Sequence, residues 1–531
     1  MFSIEIYDLI MEIGARNLFS IPELRVKPNA RIGIIGQNGT GKTTLLEVLS
    51  GKREATTGSV TRSGTVGVIE QIPAEAEKLS GGEKTRKEVQ RALQERPTIL
   101  FADEPTSNLD VASTQHVIRN FKRFSGTLLI ISHDRDFLDA VVDEIWELER
   151  ETITVYKGNY SDYATQKKKQ REQEQKAYDD NIAEKRKLQT AMNHRKQIAA
   201  SMETSQAKLL KKGMSRKEIA YGNMYKGTQQ KSQHKTIKAT QKRLERLPDV
   251  EKPFLFKPVK ITLPESRKLK PGTTLVQVQK GEISVPEKKL FEIEPFSVKI
   301  GDKMALIGQN ASGKTTFLKR LLKDEAPIRI LGSTRIAYFD QELKGLNADE
   351  TMLENVNRVN AHDTQMAMDV LGSLHFEQSD LKKCVSVLSG GEQVKLYLAM
   401  VLLSDANFLV LDEPTNYLDI AALEALEGLI SSFDGAVLFV SHDTAFVRNI
   451  ALEVLQIENG KMKLERKSMQ QVVQEKESAE QIVEEDSLLI ELRLSEIASK
   501  LADPKLSQAE KASLDEAYLE NSRKLRQLKE N

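Results

Sequence analysis

The sequence GIIGQNGTGKTTLL at residues 33–46 returns as ALIGQNASGKTTFL at residues 305–318. Each stretch fits the pattern G-x-x-x-x-G-K-[ST], follows an apolar run typical of a β-strand and precedes a segment with helical periodicity. Glycines in such a loop allow backbone N–H groups to converge on a phosphate chain, and the N-terminus of the following helix adds positive potential. The two stretches therefore predict two phosphate-binding loops in one chain.

The two loops belong to a larger duplication. Three further blocks recur in the same order: LSGGEKTR (79–86) as LSGGEQVK (388–395), TILFADEPTSNLD (98–110) as FLVLDEPTNYLD (408–419), and LLIISHDRDFL (128–138) as VLFVSHDTAFV (437–447). The repeat is much longer than a solenoid unit, so each copy should be an independent domain. Short β-rich runs alternate with helix-patterned segments in both copies, which predicts an α/β fold around a mostly parallel sheet.

A strongly basic segment separates the copies. Residues 164–250 carry 22 Lys and Arg against 9 Asp and Glu, a net charge of +13 in a 531-residue chain whose formal charge is +1. Good helix formers dominate this segment, and helix breakers cluster at residues 211–227. We therefore predict a basic helical hairpin that turns within residues 211–227.

The remaining boundaries follow from composition. Four prolines indicate an extended connector after the hairpin, and a charged, helix-patterned tail follows the second copy. The predicted organisation is an α/β domain at 1–163, the hairpin linker at 164–250, a connector at 251–272, a second α/β domain at 273–466 and a small C-terminal helical extension at 467–531.

Composition excludes several classes of protein. Apolar residues make up 39% and charged residues 29%, which excludes wholesale disorder. The single cysteine, Cys384, excludes an intramolecular disulfide framework and a cysteine-based metal cluster, and we expect it to be a buried structural thiol. Apolar runs stay shorter than the roughly 18 residues that span a bilayer, and acids replace the bases of a signal peptide at the N-terminus. We expect a cytoplasmic protein.

Carboxylates at the ends of buried strands suggest a metal-dependent site. Asp103 and Asp412 end apolar runs and should lie beside the phosphates, where they would hold Mg²⁺. The hydroxyls of Thr43 and Thr315 would complete the metal shell. Two further candidate ligands for Mg²⁺ or water end short strands in corresponding positions, Gln71 and Gln341.

Each aspartate is followed by a candidate catalytic base. Glu104 and Glu413 are placed to orient or deprotonate an attacking water. His133 and His442 end another apolar run in each copy and could contact the γ-phosphate. Either histidine alone would be read as structural, but the recurrence favours a functional role.

This ordered set of motifs resembles the ATP-binding cassette family in both copies, and LSGGE is its most specific element. The resemblance implies that the serine and glycines of LSGGE in one copy bind the γ-phosphate of ATP held by the other copy. One site would then comprise Gly36, Gln37, Asn38, Gly39, Thr40, Gly41, Lys42, Thr43 and Thr44 with Ser389, Gly390 and Gly391. The other would comprise Gly308, Gln309, Asn310, Ala311, Ser312, Gly313, Lys314, Thr315 and Thr316 with Ser80, Gly81 and Gly82. Both sets are complete, so both sites are expected to hydrolyse ATP with Mg²⁺ as cofactor.

Two cassettes joined by a basic hairpin after YKGNYSDY (156–163) are similar to ABC-F proteins. The resemblance implies a monomer with intramolecular cassette pairing that is cytoplasmic and associated with the 70S ribosome. It would bind the exit-site region in its ATP-closed state, with the linker directed to the peptidyl-transferase centre and contacts to 23S rRNA and the E-site/P-site tRNA region. The candidate rRNA contacts at the linker tip are Lys211, Lys212, Met214, Arg216, Lys217, Tyr221 and Tyr225.

Within ABC-F, the chain resembles the Vga-type antibiotic-resistance proteins. Only 37 residues separate Lys42 from Ser80, which leaves little room for the arm insertion of housekeeping members. The resemblance implies protection against lincosamides, pleuromutilins and streptogramin A compounds. A housekeeping ABC-F translation factor is the alternative, and the ATPase subunit of a membrane transporter is a remote one.

Two features depart from the family pattern. Ser107 and Asn108 in the first copy and Tyr417 in the second depart from the usual TNHLD sequence, which suggests that communication between the sites differs. Ile13 and Val285 occupy the place of an aromatic residue that stacks on adenine in many cassettes, so a preference for ATP over GTP does not follow from the sequence.

Overall fold

The computed structural model describes residues 2–14, 16–70, 81–107, 109–211, 235–250, 259–263, 269–286, 288–340 and 342–465, and positions 494, 497, 518, 519 and 522. The chain divides into two compact units. One comprises residues 1–141, 146–154 and 258–531, and the other comprises residues 142–145 and 155–257.

The first copy contains two sheets. An antiparallel sheet has the order β2-β1-β4, formed by β1 (Ile4–Ile13), β2 (Arg16–Val26) and β4 (Thr57–Arg62). A six-stranded sheet has the order β5-β6-β7-β3-β8-β9, formed by β3 (Arg31–Ile35), β5 (Val66–Ile69), β6 (Ile99–Asp103), β7 (Thr127–Ile131), β8 (Glu144–Glu149) and β9 (Thr152–Lys157). The helices are α1 (Lys42–Ser50), α2 (Gly81–Gln94), α3 (Val111–Arg123) and α4 (Arg135–Val141).

The second copy repeats this plan. Its small sheet has the order β13-β10-β15, formed by β10 (Thr274–Val278), β13 (Phe296–Lys299) and β15 (Ile328–Ile330). Its large sheet has the order β11-β12-β20-β19-β14-β18-β17-β16, formed by β11 (Gly281–Val285), β12 (Lys288–Ile293), β14 (Lys303–Gly308), β16 (Ile336–Phe339), β17 (Phe408–Asp412), β18 (Ala436–Val440), β19 (Glu453–Glu458) and β20 (Lys461–Glu465). The helices are α7 (Lys314–Leu322), α8 (Met352–Val359), α9 (Thr364–Ser373), α10 (Gly390–Leu403), α11 (Ile420–Ser432) and α12 (Thr444–Ile450).

The centre of each large sheet is parallel. β7 pairs with β3 and β6, and β18 pairs with β14 and β17, in each case in parallel. Every residue of β6, β7, β17 and β18 is buried, which explains why these strands read as continuous apolar runs. The prediction of an α/β fold around a mostly parallel sheet is confirmed. Because the carboxyl ends of parallel strands lie at one edge of a sheet, the residues that end these strands share that edge.

A shared core holds the first phosphate loop. Phe19 from the antiparallel sheet, Leu45 from α1, and Phe101 and Trp146 from the large sheet belong to one hydrophobic cluster and are almost fully buried. The helix that follows the loop is therefore packed between the two sheets.

The second unit contains the predicted long helix. α5 (Tyr160–Lys211) has 52 residues and spans about 78 Å at 1.5 Å per residue. It begins four residues before residue 164, because the Asp162 N–H bonds Asn159 Oδ1 at 3.1 Å and the Asn159 N–H bonds Asp162 Oδ2 at 3.2 Å, which caps the first turn.

A second helical segment, α6 (235–246), runs antiparallel to α5. Asn181 Nδ2 donates to Pro248 O at 3.1 Å, and Arg243 pairs with Glu184 at 2.8 Å. The turn, Lys212 and the tip candidates beyond it lie outside the described residues, and the side chain of Lys211 is likewise not described. Within the described chain, no helix is long and apolar enough to cross a membrane.

The described part of the connector contacts the second copy. Val259 O accepts a hydrogen bond from Ser432 Oγ at 2.6 Å, and Ile261 O accepts one from the Asp434 N–H at 3.2 Å. Ile261 and Leu263 are buried. The C-terminal extension lies almost wholly outside the described residues and stays a prediction.

The expectation of a buried Cys384 is wrong. The thiol-bearing residue is exposed, in the segment between two short 3-10 turns that precedes α10. The next residue, Val385, is buried instead.

Candidate nucleotide-binding sites

Both phosphate loops end on a glycine that caps a helix. Gly41 (φ 98°) and Gly313 (φ 101°) lie in the left-handed region before α1 and α7. A Cβ atom on Gly313 would lie 2.9 Å from side-chain atoms of Leu290 and Phe291. Glycine is therefore required by both the backbone conformation and the close approach of a neighbouring strand.

The loop lysines lie inside the curve of each loop. Lys42 Nζ donates to Gly36 O at 2.8 Å and Gln37 O at 2.9 Å, and Lys314 Nζ donates to Gly308 O at 2.8 Å and Gln309 O at 3.1 Å. Burial lowers the pKa of both ammonium groups. Each loop thus presents one desolvated positive charge at the position where a phosphate chain would bind.

Asp103 and Asp412 lie next to the first hydroxyl of each helix. The Thr43 side chain hydrogen-bonds Asp103, and the Thr315 side chain hydrogen-bonds Asp412. Burial raises the pKa of both carboxyls above their usual range. Carboxylate and hydroxyl oxygens are ligands that suit Mg²⁺, so these pairs fit the expected cofactor. Tyr338 Oη adds a hydrogen bond to Asp412 at 3.4 Å.

The two candidate bases have an unusual backbone. Glu104 (φ 48°) and Glu413 (φ 51°) occupy the left-handed region that non-glycine residues rarely adopt. Their N–H groups donate to Ile131 O at 2.9 Å and Val440 O at 3.0 Å, so the adjacent strand holds this conformation. The same strained geometry at both positions is typical of functional sites.

Each glutamate faces the histidine of its own copy. His133 Nε2 lies 3.5 Å from Glu104 Oε1, and His442 Nε2 lies 3.3 Å from Glu413 Oε1. Burial raises the pKa of Glu104 to about 8 and that of Glu413 to about 7, and the preceding aspartate adds a smaller effect in the same direction in each case. Burial also lowers the pKa of His133 to about 3 and of His442 to about 4, so both imidazoles are neutral at pH 7. A neutral imidazole can accept or donate one hydrogen bond to a reacting group.

One cavity of about 1060 Å³ joins the two sites. It is lined by parts of both phosphate loops, by Asp103, Glu104, His133, Asp412, Glu413 and His442, and by Ser389 and Gly391 of the second LSGGE sequence. Ile13, Leu18, Val285 and Leu290 add aliphatic surface to it.

Direct contacts cross between the copies at the first loop. The Asn38 N–H donates to Asp419 Oδ2 at 3.0 Å, and Asn38 Nδ2 donates to Tyr417 O at 2.8 Å. A Cβ atom on Gly391 would lie 3.0 Å from Asn38 Nδ2. The structure therefore brings the first loop to the second LSGGE sequence, where Ser389 caps α10 in a capping box with Glu392.

The second site is described less completely. Its loop, Asp412, Glu413 and His442 share the cavity, and Gly81 and Gly82 begin α2. Ser80, Gln71 and Gln341 lie outside the described residues, so their roles stay predictions.

Some residues at the interface were not singled out from the sequence. Asp419 accepts from Asn38 with one oxygen and from the Ala422 N–H at 2.9 Å with the other, so it also caps α11. Its position at the end of a segment present in both copies, TSNLD at 106–110 and TNYLD at 415–419, is a usable signal in the sequence. Arg135 and Arg448 form ion pairs between the copies, but neither is duplicated, so the sequence offered no comparable signal.

Comparison with known proteins gives the family. A family profile described as ABC transporter matches residues 20–67 and 294–416, and a second with the same description matches residues 146–221. The ribosome protection protein VmlR of Bacillus subtilis (strain 168) is 29% identical over 97% of this chain and 96% of its own length. The erythromycin resistance ATP-binding protein MsrA of Staphylococcus epidermidis is 31% identical over 79% of this chain and 90% of its own length.

The chain belongs to the ABC-F family of ATP-binding cassette ATPases. It binds nucleotide and hydrolyses ATP. A solved structure titled RNase-L Inhibitor, at 20% identity and a TM-score of 0.59, covers 88% of this ABC-F chain and 92% of its own, and it supports the two-cassette fold.

Proposed function

We propose that this ABC-F protein binds the ribosome and protects its peptidyl-transferase region from lincosamide, pleuromutilin and streptogramin A antibiotics. The observation that carries the proposal is the match to VmlR, a protein named for ribosome protection, over 97% of this chain. That match includes both cassettes and the linker. MsrA adds a second relative, one that is named for erythromycin resistance.

The ATPase sites drive the cycle. In this proposal Lys42 and Lys314 hold the β- and γ-phosphates, while Glu104 and Glu413 orient or deprotonate the attacking water beside His133 and His442. Mg²⁺, when bound at the Thr and Asp pairs, neutralises charge that develops on the phosphate oxygens. The LSGGE residues complete the site of the opposite cassette. The proposed cassettes are residues 1–163 and 273–466, and the linker between them is residues 164–250.

The linker makes the ribosomal contact. Its net charge of +13 suits the phosphates of 23S rRNA, and the aromatic residues Tyr221 and Tyr225 suit unstacked bases. We propose that the ATP-closed monomer binds near the E site in the cytoplasm, with the linker directed to the peptidyl-transferase centre and the P-site tRNA. Hydrolysis then opens the cassettes and releases the protein.

Translation in a purified system tests the finer part of this proposal. Reactions stalled by lincomycin, tiamulin or virginiamycin M are supplied with the wild-type protein and ATP, with erythromycin as a further arm because of the name of MsrA. Resumed synthesis with at least one of the first three drugs is the expected result. Ribosome binding without rescue from any drug would contradict drug protection and favour a housekeeping factor.

The catalytic mutant provides the matched control. The Glu104→Gln, Glu413→Gln double variant should bind ribosomes but fail to restore continuous synthesis, because it is not released. Co-purification of the wild type with an integral membrane protein, with no affinity for ribosomes, would point instead to a transporter subunit.

A further inference from the structure

An ion-pair cluster between the cassettes lies beside both candidate catalytic histidines. We name the segments 132–134 and 441–443, each containing one histidine, the histidine loops. Helices α4 and α12 begin directly after them. Within the compact unit that contains both cassettes, these two helices contact each other.

Arg135 lies at the centre of this cluster. Its Nη2 bonds Glu427 Oε1 on α11 and lies 3.6 Å from Asp443 Oδ2. The three side chains are 9%, 14% and 12% exposed, so this is a nearly buried cluster rather than a surface ion pair. Arg135 is two residues from His133 along the chain and contacts the residue next to His442.

Two buried aspartates that cap the neighbouring helices lie close to Arg135. Asp443 caps α12 through a 2.8 Å bond from the Phe446 N–H, and Asp134 caps the start of α4 through a 2.9 Å bond from the Phe137 N–H. Burial, followed by the effects of Asp443 and Asp136, raises the pKa of Asp134 to about 7. Asp443 of the second cassette raises the pKa of Asp134 and Arg135 lowers it, so the guanidinium offsets part of the repulsion between these buried carboxyls.

A second, more exposed pair strengthens the same contact. Arg448 Nη2 on α12 lies 2.8 Å from Asp136 Oδ1 on α4, and Thr444 Oγ1 also donates to Asp136. Thr444 stands where the first cassette has Arg135, so the cluster is not symmetric. The buried arginine comes from the first cassette alone.

We propose that Arg135 is a positioning residue that links the two histidine loops across the interface, so that the two ATP sites reach their hydrolytic geometry together. The proposal rests on the roles assigned above to His133 and His442. It requires neither ribosome nor drug, so it can be tested on the isolated ATPase.

Steady-state hydrolysis separates this role from a structural one. For Arg135→Gln we expect kcat to fall about tenfold or more, because small displacements of catalytic groups are costly, while KM changes less than about twofold. The proposal expects a Hill coefficient for ATP above 1 in the wild type, and this coefficient should fall toward 1 in the variant. Arg135→Lys, which keeps the charge, should recover much of the lost kcat.

Two further variants complete the test. Glu427→Gln should reproduce part of the defect, and the Arg135→Gln, Glu427→Gln double variant should be no slower than Arg135→Gln alone. Arg358→Gln is the matched control, because Arg358 pairs with Glu350 at 3.1 Å inside one cassette. It should leave kcat and the Hill coefficient unchanged.

The contrary results are distinct. The proposal would be overturned if Arg135→Gln left kcat and the Hill coefficient unchanged. It would also be overturned if Arg358→Gln altered kcat and KM as much as Arg135→Gln does. A wild-type protein without ATPase activity would instead contradict the assigned catalytic roles.

Discussion

The backbone N–H of Asn38 in the first cassette donates to Asp419 Oδ2 in the second cassette at 3.0 Å. This bond joins the loop that would hold the phosphates of one ATP to the segment that follows the catalytic glutamate of the other site. Lys395 Nζ lies 3.7 Å from the same Asp419 oxygen. Asp419 contacts the other cassette through Asn38 and is also paired with the buried Lys395 of its own cassette, so a change there should affect cassette closure as well as cassette stability.

Asp419→Ala should weaken ATP-driven closure. The substitution removes the bond to Asn38 and also a helix cap, and a lost cap alone costs about 1 kcal/mol. Asp363→Ala is the matched control, since Asp363 caps α9 through the Met366 N–H at 2.7 Å without touching the other cassette. Closure is measured by fluorescence transfer between dyes on the two cassettes. Equal behaviour of the two variants would show that the Asn38 contact is unimportant.

Glu104→Gln and Glu413→Gln should abolish hydrolysis while preserving ATP binding. Glutamine keeps the shape of the side chain but cannot accept the proton of the attacking water. We expect the double variant to lose at least about a hundredfold in kcat and to retain bound ATP after gel filtration. Substantial turnover in the double variant would exclude these residues as the bases.

Thr43→Val and Thr315→Val should raise the Mg²⁺ concentration required for activity. Each hydroxyl lies beside its aspartate, and its loss removes one oxygen ligand, which should shift the half-maximal Mg²⁺ concentration by about tenfold. Thr240→Val, at a hydroxyl that bonds Thr236 O within the linker, is the control. Chelation by EDTA should stop hydrolysis in every variant, and an unaltered Mg²⁺ requirement in both loop variants would contradict the assignment.

Lys303 predicts a pH-dependent stability. Its Nζ donates to Phe433 O at 2.7 Å and Gly435 O at 2.8 Å, and burial lowers its pKa to about 8. The unfolded lysine titrates near 10.4, so between pH 8 and 10 the unfolded state binds more protons and stability rises with pH. Below pH 8 the cost of burying the charge is fully present.

Lys303→Met should remove this dependence. The difference in unfolding free energy between wild type and variant should shift in favour of the wild type by up to about 3 kcal/mol from pH 7.5 to 10.5. Urea unfolding at several pH values measures it. The exposed Lys280→Met is the control, and a difference for Lys303→Met that is constant with pH would refute the prediction.

The sequence was sufficient to predict the α/β fold, and it singled out residues that the structure brings to one cavity. Phosphate loops, strand-ending carboxylates and histidines are local patterns, and parallel strands bring them to one edge. The contacts of Asn38 with Asp419 and of Arg135 with Glu427 depend on how the cassettes dock, which local patterns do not encode. Arg135 also lacks a repeated counterpart, so comparison of the two copies did not reveal it.

Two differences between expectation and structure have physical causes. Cys384 was expected to be buried because free cysteines usually are, but it lies on an exposed turn whose apolar anchor is Val385. The linker helix starts at Tyr160 rather than near residue 164, because Tyr156 and Tyr163 stack edge-to-face at 5.0 Å and the capping bonds of Asn159 extend the helix backwards.

Sedimentation with purified 70S ribosomes tests the central claim most directly. The Glu104→Gln, Glu413→Gln double variant is centrifuged through a sucrose cushion with ribosomes in the presence of ATP or ADP. The account predicts that the variant pellets with ribosomes in ATP and stays in the supernatant in ADP. Failure to pellet with ATP, or equal pelleting in both nucleotides, would contradict an ATP-closed state that binds the ribosome.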